Sequence, residues 1–366
     1  MRRAVSSGQP VVVKVGSSSL TGANGELDES SVERVVAHVA GLVGTGNPPV
    51  LVTSGSIAAG LPALGMSERP TEVAELQVAA AIGQTKLVQR YAAHFADRDL
   101  AVAQVLLTKD VLGNRAQYLN ARSALDKMLS LGVIPIVNEN DTVVVDELKL
   151  GDNDQLAAIT AHLVGAGMLV ILTDTAGLYT DDPRLASKAQ LLSAVEHTDG
   201  ILDRIRRDTG TGALGSGGVA TKITAARMAA FSGIPTVVAG AEIPNVVADA
   251  TAGADVGTWI DGRRESLSAR KLWIAFGLPA VGAIGVDDGA VTAIRTGGGS
   301  LLAVGLASVE GPFQRGDAVE VHDGSGSLVA KGIIRFDSAE LVDGGGHHSD
   351  AIGGEAIHRD DLVVLE

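Results

Sequence analysis

The chain has 366 residues, with 29 basic and 43 acidic side chains and a formal net charge of −14. This length predicts two or three domains, and the acidic balance argues against a general nucleic-acid or anionic-membrane binder. The lack of cysteine excludes disulfide bonds, thiolate metal sites and thiol nucleophiles. Aromatic residues make up only 3 % of the chain, so the core must be built mainly from Val, Leu, Ile and Ala.

Apolar runs of strand length alternate with helical patterns through most of the chain. The predicted strands are residues 11–15, 50–52, 102–107, 133–137, 169–172 and 236–238. The predicted helices are residues 28–43, 73–95, 121–131 and 221–231. Most of the strand segments are continuously apolar, which is typical of strands covered on both faces. The alternation predicts an α/β three-layer sandwich with a mainly parallel central sheet over residues 1–270.

The pattern changes after Asp261, where short apolar runs with turn signals replace the helical periods. Residues 319–321 and 328–334 flank an Asp-Gly-Ser-Gly turn at 323–326 and predict a hairpin. We therefore expect a small β-rich C-terminal domain over residues 277–366.

No segment of the sequence indicates a membrane span. The longest nearly apolar stretch, residues 156–172, contains His162 and glycines, which favours a helix followed by a buried strand. The apolar run near the start of the chain is too short for a signal peptide. These features predict a soluble cytoplasmic protein without membrane contact.

Polar and small residues follow four of the predicted strands, at residues 16–18, 53–56, 138–141 and 173–174. In an open parallel sheet, ligands bind at the carboxyl ends of the strands. Lys14 stands out because it lies inside a Val-rich strand. Its ammonium group must reach the surface, form an ion pair, or face an anion at the strand end.

A second glycine-rich segment, residues 210–222, leads directly into a predicted helix. Glycines before a helix leave backbone N–H groups free for phosphate oxygens, and the helix dipole favours an anion there. Lys222 would add a positive charge. The segment has neither the order of a Walker loop nor the preceding strand of a dinucleotide-binding fingerprint.

Amides and carboxylates cluster at residues 138–141 and 151–154. One residue of the second group can be explained as the N-cap of the helix that begins there. The remaining members could bind an ammonium group, hold a metal–nucleotide complex or orient a lysine.

Taken in order, these segments resemble the amino-acid kinase family, in particular members that carry a C-terminal PUA domain. The resemblance covers nearly the whole chain and rests on residues 13–17, 52–60, 118–122, 137–141, 151–154, 172–174, 177–179, 217–222, 346–349 and 358–361. It implies the amino-acid kinase fold followed by a PUA-like domain.

The resemblance also implies a reaction: transfer of the γ-phosphoryl group of ATP to the side-chain carboxylate of L-glutamate, the first step of proline biosynthesis. Mg²⁺ would be carried by the nucleotide, and no residue is implied as a direct metal ligand. The nucleophile is ionised at neutral pH, because a glutamate carboxyl has an ordinary pKa near 4.3. No general base is required, so catalysis should consist of positioning and electrostatic stabilisation.

The resemblance assigns roles to particular residues. Lys14 and Lys222 are implied as catalytic, with Asp154 holding them in place. The implied glutamate-binding residues are Ser54, Asp141 and Asn153. The implied nucleotide-binding residues are Lys14, Thr173, Asp174, Ser216, Gly217, Gly218, Val219, Ala220, Thr221 and Lys222. Chemically, a serine and an amide suit the α-carboxylate of the substrate, and Asp141 suits its α-ammonium group.

Partners and regulation are also implied. A homo-oligomer and feedback inhibition by proline are expected, with proline overlapping the glutamate site near residues 142–150. PUA domains often bind RNA, but residues 279–366 carry fourteen acidic and only five basic side chains. This charge favours a structural or oligomer-tuning role. For His347 and His348, a turn or interface role is favoured over a metal site.

Three alternatives compete with this interpretation. Another amino-acid kinase, acting on aspartate or acetylglutamate, is opposed by the β-rich C-terminal segment. An RNA-binding or regulatory protein on an inactive kinase scaffold is opposed by the presence of Lys14, Asp154 and Lys222. A Rossmann dehydrogenase is opposed by the missing strand–glycine–helix fingerprint.

Overall fold

The computed structural model describes residues 2–22, 25–66, 68–143, 153–208, 218–342 and 354–365. The chain divides into two compact units, residues 1–266 and 267–366. The sequence-based limits at residues 270 and 277 remain predictions. Among the described residues, no helix combines the length and apolar character needed to cross a membrane.

The first unit alternates strands and helices. Its described strands are β1 (Val11–Val15), β2 (Pro49–Val52), β3 (Val102–Leu107), β4 (Ile134–Glu139), β5 (Met168–Thr173), β6 (Ala194–Val195), β7 (Thr236–Gly240) and β8 (Thr258–Ile260). Its described helices are α1 (Glu29–Gly44), α2 (Ser56–Gly60), α3 (Val73–Ala96), α4 (Arg115–Ser130), α5 (Asn153–Val164), α6 (Gly200–Asp208), α7 (Val219–Phe231) and α8 (Val246–Thr251).

These strands form one sheet in the order β3-β4-β2-β1-β5-β7-β8-β6. All neighbouring pairs are parallel except β7 and β8, which are antiparallel. The prediction of a mainly parallel sheet is therefore confirmed. β1 lies in the middle, and Lys14 is in register with Val52 of β2 and Ile171 of β5.

Helices cover both faces of this sheet. Because side chains alternate along a strand, Val11, Val13 and Val15 all face one side, where they pack in a core with residues of α1, α3 and α8. Val12 and Lys14 point to the opposite face, where α5 contacts β1 and α7 packs on α5. The predicted three-layer sandwich is confirmed, and the alternation places Lys14 on the α5 side.

The predicted elements agree closely with the observed ones where the apolar pattern is strong. Strands β1 and β3 have the predicted bounds, and α1, α3 and α7 differ by at most two residues at either end. Helix α4 begins at Arg115, well before the predicted start at residue 121, because Asn114 caps it by accepting from the Gln117 N–H. Leu125 is its one buried residue, so the helix has little apolar periodicity to detect.

Glycines allow α2 to lie directly on α3. Gly55, with φ of +97°, lets the chain turn from β2 into α2. A Cβ on Gly83 would lie 1.7 Å from the Ser56 carbonyl oxygen, and one on Gly60 would lie 1.9 Å from the Ala79 carbonyl oxygen. This backbone contact fixes Ser56 and Gly60 of α2 against α3.

The second unit is mostly β. Its described elements are α9 (Ala269–Leu272), a π-helical turn (Trp273–Gly277), β9 (Gly282–Val286), α10 (Asp288–Gly297), β10 (Leu301–Leu302), β11 (Leu306–Glu310), β12 (Ala318–His322), β13 (Leu328–Ile333), α11 (Ser338–Val342), β14 (Glu355–Ile357) and β15 (Leu362–Val364). β10 pairs with β14, and the other strands form a sheet in the order β11-β9-β12-β13-β15.

This unit confirms the predicted small β-rich domain, including the hairpin, since β12 and β13 are antiparallel neighbours. The sequence did not indicate helix α10. Two of its ten residues are glycine, which masks a helical pattern, but the Asp287 side chain caps it by accepting from the Ala290 N–H.

The contact between α2 and α3 generates a prediction. Replacing Gly83 with Ala should destabilise the chain by about 3 kcal/mol, because the new methyl group must displace backbone atoms. The matched control is Gly41→Ala in α1, where a Cβ meets nothing within 4 Å; there we expect a gain of about 0.5–1 kcal/mol. Urea unfolding measures both changes, and equal midpoints for Gly83→Ala and the parent would contradict the tight crossing.

Candidate functional site

The carboxyl ends of β1, β2, β4 and β5 meet at one edge of the sheet, because these strands are parallel neighbours. The N-terminal end of α5 also lies at this edge, since Asn153 contacts the residues that follow β2. Helix α7 meets it through Thr221 and Lys222, which contact Asp154. The edge therefore gathers the polar residues that follow four strands and those that open two helices.

Asp154 lies between the two lysines singled out in the sequence. Its Oδ1 is 2.6 Å from Lys14 Nζ, and its Oδ2 is 3.5 Å from Lys222 Nζ. All three side chains are buried: Asp154 is 0 % exposed, Lys14 2 % and Lys222 7 %. Lys14 thus forms an ion pair, which was one of the options left open for it; that it also faces an anionic ligand stays a prediction.

The three charges perturb one another. Burial would raise the pKa of Asp154, but the ammonium groups of Lys14 and Lys222 and the hydrogen bonds from Lys14 and Thr221 outweigh it and lower that pKa to about 2. Burial lowers the pKa of Lys222; Asp154 opposes this effect and Lys14 adds to it. Two ammonium groups and one carboxylate leave a net positive charge, which is suited to an anionic ligand.

Thr221 completes the surroundings of Asp154. Its hydroxyl lies 2.7 Å from Asp154 Oδ2 and 2.8 Å from the Gly218 carbonyl oxygen. Gly218 is the N-cap of α7, and the N–H groups in the first turn of a helix have no partner within it. Val219 and Ala220 belong to that turn. A phosphate at this helix terminus would meet backbone donors as well as the lysines.

Asn153 connects α5 to the ends of β2 and β4. Its Nδ2 lies 2.7 Å from the Thr53 carbonyl oxygen, 3.0 Å from Ser54 Oγ and 2.9 Å from Asn138 Oδ1. Its Oδ1 is buried without a hydrogen-bond partner among the described residues. A buried acceptor of this kind can receive a hydrogen bond from a ligand.

Asp141 is a second buried carboxylate at this edge. Burial raises the pKa of Asp141 to about 6, although the Ser56 hydroxyl, which donates to it at 3.4 Å, and the charge of Arg69 oppose the shift. Asp141 is therefore mostly ionised at neutral pH while it lies in a poorly solvated place. A cationic group of a ligand would stabilise it there.

Thr173 ends β5, the strand next to β1, and Asp174 follows it. The Thr173 hydroxyl donates to Asp174 Oδ1 at 3.0 Å. The charge of Asp174 reaches Lys222, because it raises the pKa of that lysine against the effect of burial.

The predicted site residues that the structure describes lie at one edge of the sheet, and two sets of them are in direct contact. Direct contacts join Lys14, Asp154, Lys222 and Thr221, and a second set joins Asn153 to Ser54. Ser216 and Gly217, with Gly151 and Asp152 and the segment 144–150, lie outside the described residues.

Two supporting residues escaped the sequence analysis as site residues. Asn138 stood among the amides at a strand end, but nothing in the sequence indicated its contact with Asn153. Gln84 lies in α3, and Asn138 Nδ2 donates to its Oε1 at 2.5 Å. In the sequence, Gln84 could have been noticed only because it is a polar residue within the apolar stripe of a helix.

Comparison with known proteins identifies the family to which a chain with this fold and this site belongs. Residues 9–240 match the amino acid kinase family, and residues 282–354 match the PUA domain. The chain belongs to the amino acid kinase family.

Among its relatives, the glutamate 5-kinase of Marinomonas sp. strain MWYL1 is 47 % identical, with both chains fully covered. The glutamate 5-kinase of Streptomyces coelicolor is 44 % identical over 100 % of this chain and 98 % of its own. The crystal structure of a UMP kinase from Bacillus anthracis is similar in fold alone, with a TM-score of 0.50 and 15 % identity over 72 % of this chain and 99 % of that one.

The ion pairs of Asp154 predict a pH-dependent stability. Because the pKa of Asp154 is lowered from 3.8 to about 2 on folding, its pairing stabilises the chain above pH 4, and this contribution is lost as the pH falls from about 4 towards 2. Asp154→Asn should reduce the free energy of unfolding by about 3–5 kcal/mol at pH 7. The difference in the free energy of unfolding between Asp154→Asn and the parent should become smaller as the pH falls.

Urea unfolding of both proteins at a series of pH values from 7 to 3 measures this difference in stability. The control is Asp126→Asn, an exposed carboxylate of α4 that lies 3.8 Å from Arg122; this change should alter stability by less than about 1 kcal/mol at every pH. A difference between Asp154→Asn and the parent that stays constant down to pH 3 would contradict the ion-pair assignment.

Proposed function

We propose that Lys14, Lys222 and Asp154 carry out the reaction of this chain, the ATP-dependent phosphorylation of L-glutamate on its side-chain carboxylate. Relatives named glutamate 5-kinase match the chain over its full length at 43–47 % identity. The product is glutamyl 5-phosphate, and the reaction is the first step of proline biosynthesis.

The observation that carries the residue roles is the buried pairing of both lysines with one carboxylate. The reaction brings an anionic carboxylate towards an anionic triphosphate, so its main obstacle is charge repulsion. Two ammonium groups held 2.6 Å and 3.5 Å from Asp154 are positioned before the substrates bind. Preorganised charges of this kind stabilise the transferring phosphoryl group without reorganising during the reaction. Asp154 acts as a positioning residue.

We assign Ser54, Asp141 and Asn153 to the amino-acid end of glutamate. Ser54 Oγ accepts from Asn153, so its own hydroxyl hydrogen is available for the α-carboxylate. The sequence suggested that the amide would also serve the α-carboxylate. However, the Asn153 hydrogens face three protein acceptors, and its unpartnered atom is Oδ1. We therefore assign Asn153 Oδ1, together with Asp141, to the α-ammonium group.

We assign the nucleotide to the ends of β5 and α7, where Thr173, Asp174 and residues 218–222 lie; Ser216 and Gly217 remain part of this proposal. Within the part of the chain that the structure describes, no group of three or more His, Asp or Glu side chains could hold a metal ion. Asp154 is already engaged by two ammonium groups. We therefore propose that Mg²⁺ enters bound to the phosphates of ATP as part of the substrate.

Assembly, regulation and location remain proposals as well. We propose a homo-oligomer in the cytoplasm and inhibition by proline, which resembles a cyclised glutamate and would overlap the glutamate site near residues 142–150. The acidic C-terminal unit, with fourteen acidic and five basic side chains in residues 279–366, supports a structural role rather than RNA binding.

The test is a coupled assay of ADP release. The parent chain should release ADP with L-glutamate but not with aspartate or N-acetylglutamate. Lys14→Ala and Lys222→Ala should each lower kcat by about 10²–10³-fold, because each removes one preorganised charge from the transferring group. Both variants also lose stability, since Asp154 loses a partner, so turnover is compared on folded protein well below the melting temperature.

The control is Lys86→Ala, an exposed lysine on α3, which should retain parental turnover. Activity with aspartate or N-acetylglutamate in place of glutamate would overturn the substrate assignment. Parental kcat in both Lys14→Ala and Lys222→Ala would overturn the roles of the lysines.

A further inference from the structure

A buried glutamine of α3 occupies a position where the helix otherwise presents apolar residues to the sheet. The buried residues of α3 are Leu76, Ala79, Ala80, Gly83, Gln84, Leu87, Tyr91 and Phe95. Gln84 is 8 % exposed. Burying an amide in such a stripe costs free energy unless its polar atoms are used, so its contacts indicate a purpose.

Gln84 begins a chain of three amides that crosses the edge of the sheet. Ile134 and Ile136 of β4 face the core beside α3, so the alternation along the strand places Asn138 on the same side. Asn138 Nδ2 donates to Gln84 Oε1 at 2.5 Å, and Asn138 Oδ1 accepts from Asn153 Nδ2 at 2.9 Å. The chain of contacts thus runs from α3 through β4 to the start of α5.

Backbone groups identify which atom of each of these amides is the nitrogen and which is the oxygen. The Thr53 carbonyl oxygen can only accept, so the Asn153 atom 2.7 Å from it is Nδ2. The Glu139 N–H can only donate, so the Asn138 atom 2.9 Å from it is Oδ1. The other end of Asn138 is therefore an NH₂ group, and it requires an acceptor. Gln84 Oε1 is that acceptor.

This orientation leaves two atoms without partners among the described residues, Asn153 Oδ1 and Gln84 Nε2. Asn153 Oδ1 is the atom assigned above to the α-ammonium group of glutamate. Within the part of the chain that the structure describes, Gln84 is thus hydrogen-bonded through its oxygen alone.

We propose that Gln84 is a positioning residue for the glutamate site: by accepting from Asn138, it holds the amide of Asn153 with Nδ2 on Ser54 and Oδ1 towards the substrate. The proposal rests on the function proposed above. Without an acceptor at position 84, the buried NH₂ group of Asn138 loses its partner. Of the backbone groups that the structure describes, only the Glu139 N–H then still restrains the Asn138 side chain. The contact of Asn138 with Asn153 therefore loosens, and with it the contact of Asn153 with Ser54.

The experiment compares three variants by steady-state kinetics with glutamate and with ATP varied separately. Gln84→Met keeps the length of the side chain and removes the acceptor; it should raise the KM for glutamate by about tenfold, as expected when a buried donor loses its partner, and leave the KM for ATP unchanged. Gln84→Glu keeps an oxygen facing Asn138 and should restore a KM for glutamate close to that of the parent.

The matched control is Tyr91→Phe. Tyr91 lies on the same helix, is fully buried, and its hydroxyl is 2.9 Å from Thr53 Oγ1, so the change also removes one buried hydrogen bond but leaves the amide chain intact. It should lower the melting temperature without raising the KM for glutamate. If Gln84 contributed to stability alone, Gln84→Met would also lower the melting temperature without raising the KM for glutamate.

The outcomes separate the two proposals. If the parent releases no ADP with glutamate, the proposed function fails. If the parent is active, the role of Gln84 is overturned when Gln84→Met raises the KM for glutamate no more than Tyr91→Phe does, or when Gln84→Glu is as impaired as Gln84→Met. Gln84→Ala takes the place of Gln84→Met if Gln84→Met does not fold.

Discussion

The site depends on one electrostatic constraint: two buried ammonium groups need a shared carboxylate, and three separate elements must deliver these groups to one point. Lys14 comes from the central strand, Asp154 from the first turn of α5, and Lys222 from the first turn of α7. The alternation along β1 turns Lys14 towards the layer that contains both helices. The parallel sheet then places the strand end and the two helix starts at the same edge.

Burying these charges is expensive, and replacement by apolar residues would often be neutral or stabilising. The arrangement is explained by the positive charge that it presents to an anionic ligand. Asp154 neutralises only one of its two lysines, so the cluster of these three side chains keeps a positive charge, partly offset by Asp174, within a chain whose net charge is −14. Attraction for an anionic nucleotide is therefore local to this edge and does not come from the surface as a whole.

Most of the fold could be predicted from the sequence, because the strands of the first unit are continuous apolar runs with polar residues at their carboxyl ends. Lys14 was recognisable for the same reason, as a charge inside such a run. Helices α4 and α10 were harder to place: α4 buries one residue fully and α10 contains glycines, so their limits depend on the caps Asn114 and Asp287. The amide chain from Gln84 to Asn153 joins residues far apart in sequence, and no local pattern reports such contacts.

The central claim is that both lysines act on the same phosphate chain beside bound glutamate. The most direct measurement is a crystal structure of the full chain with L-glutamate, Mg²⁺ and a non-hydrolysable ATP analogue. It should show Lys14 Nζ and Lys222 Nζ each about 2.8 Å from phosphate oxygens, with the glutamate side-chain carboxylate facing the terminal phosphorus. A nucleotide whose phosphates lie out of reach of either lysine would contradict the claim.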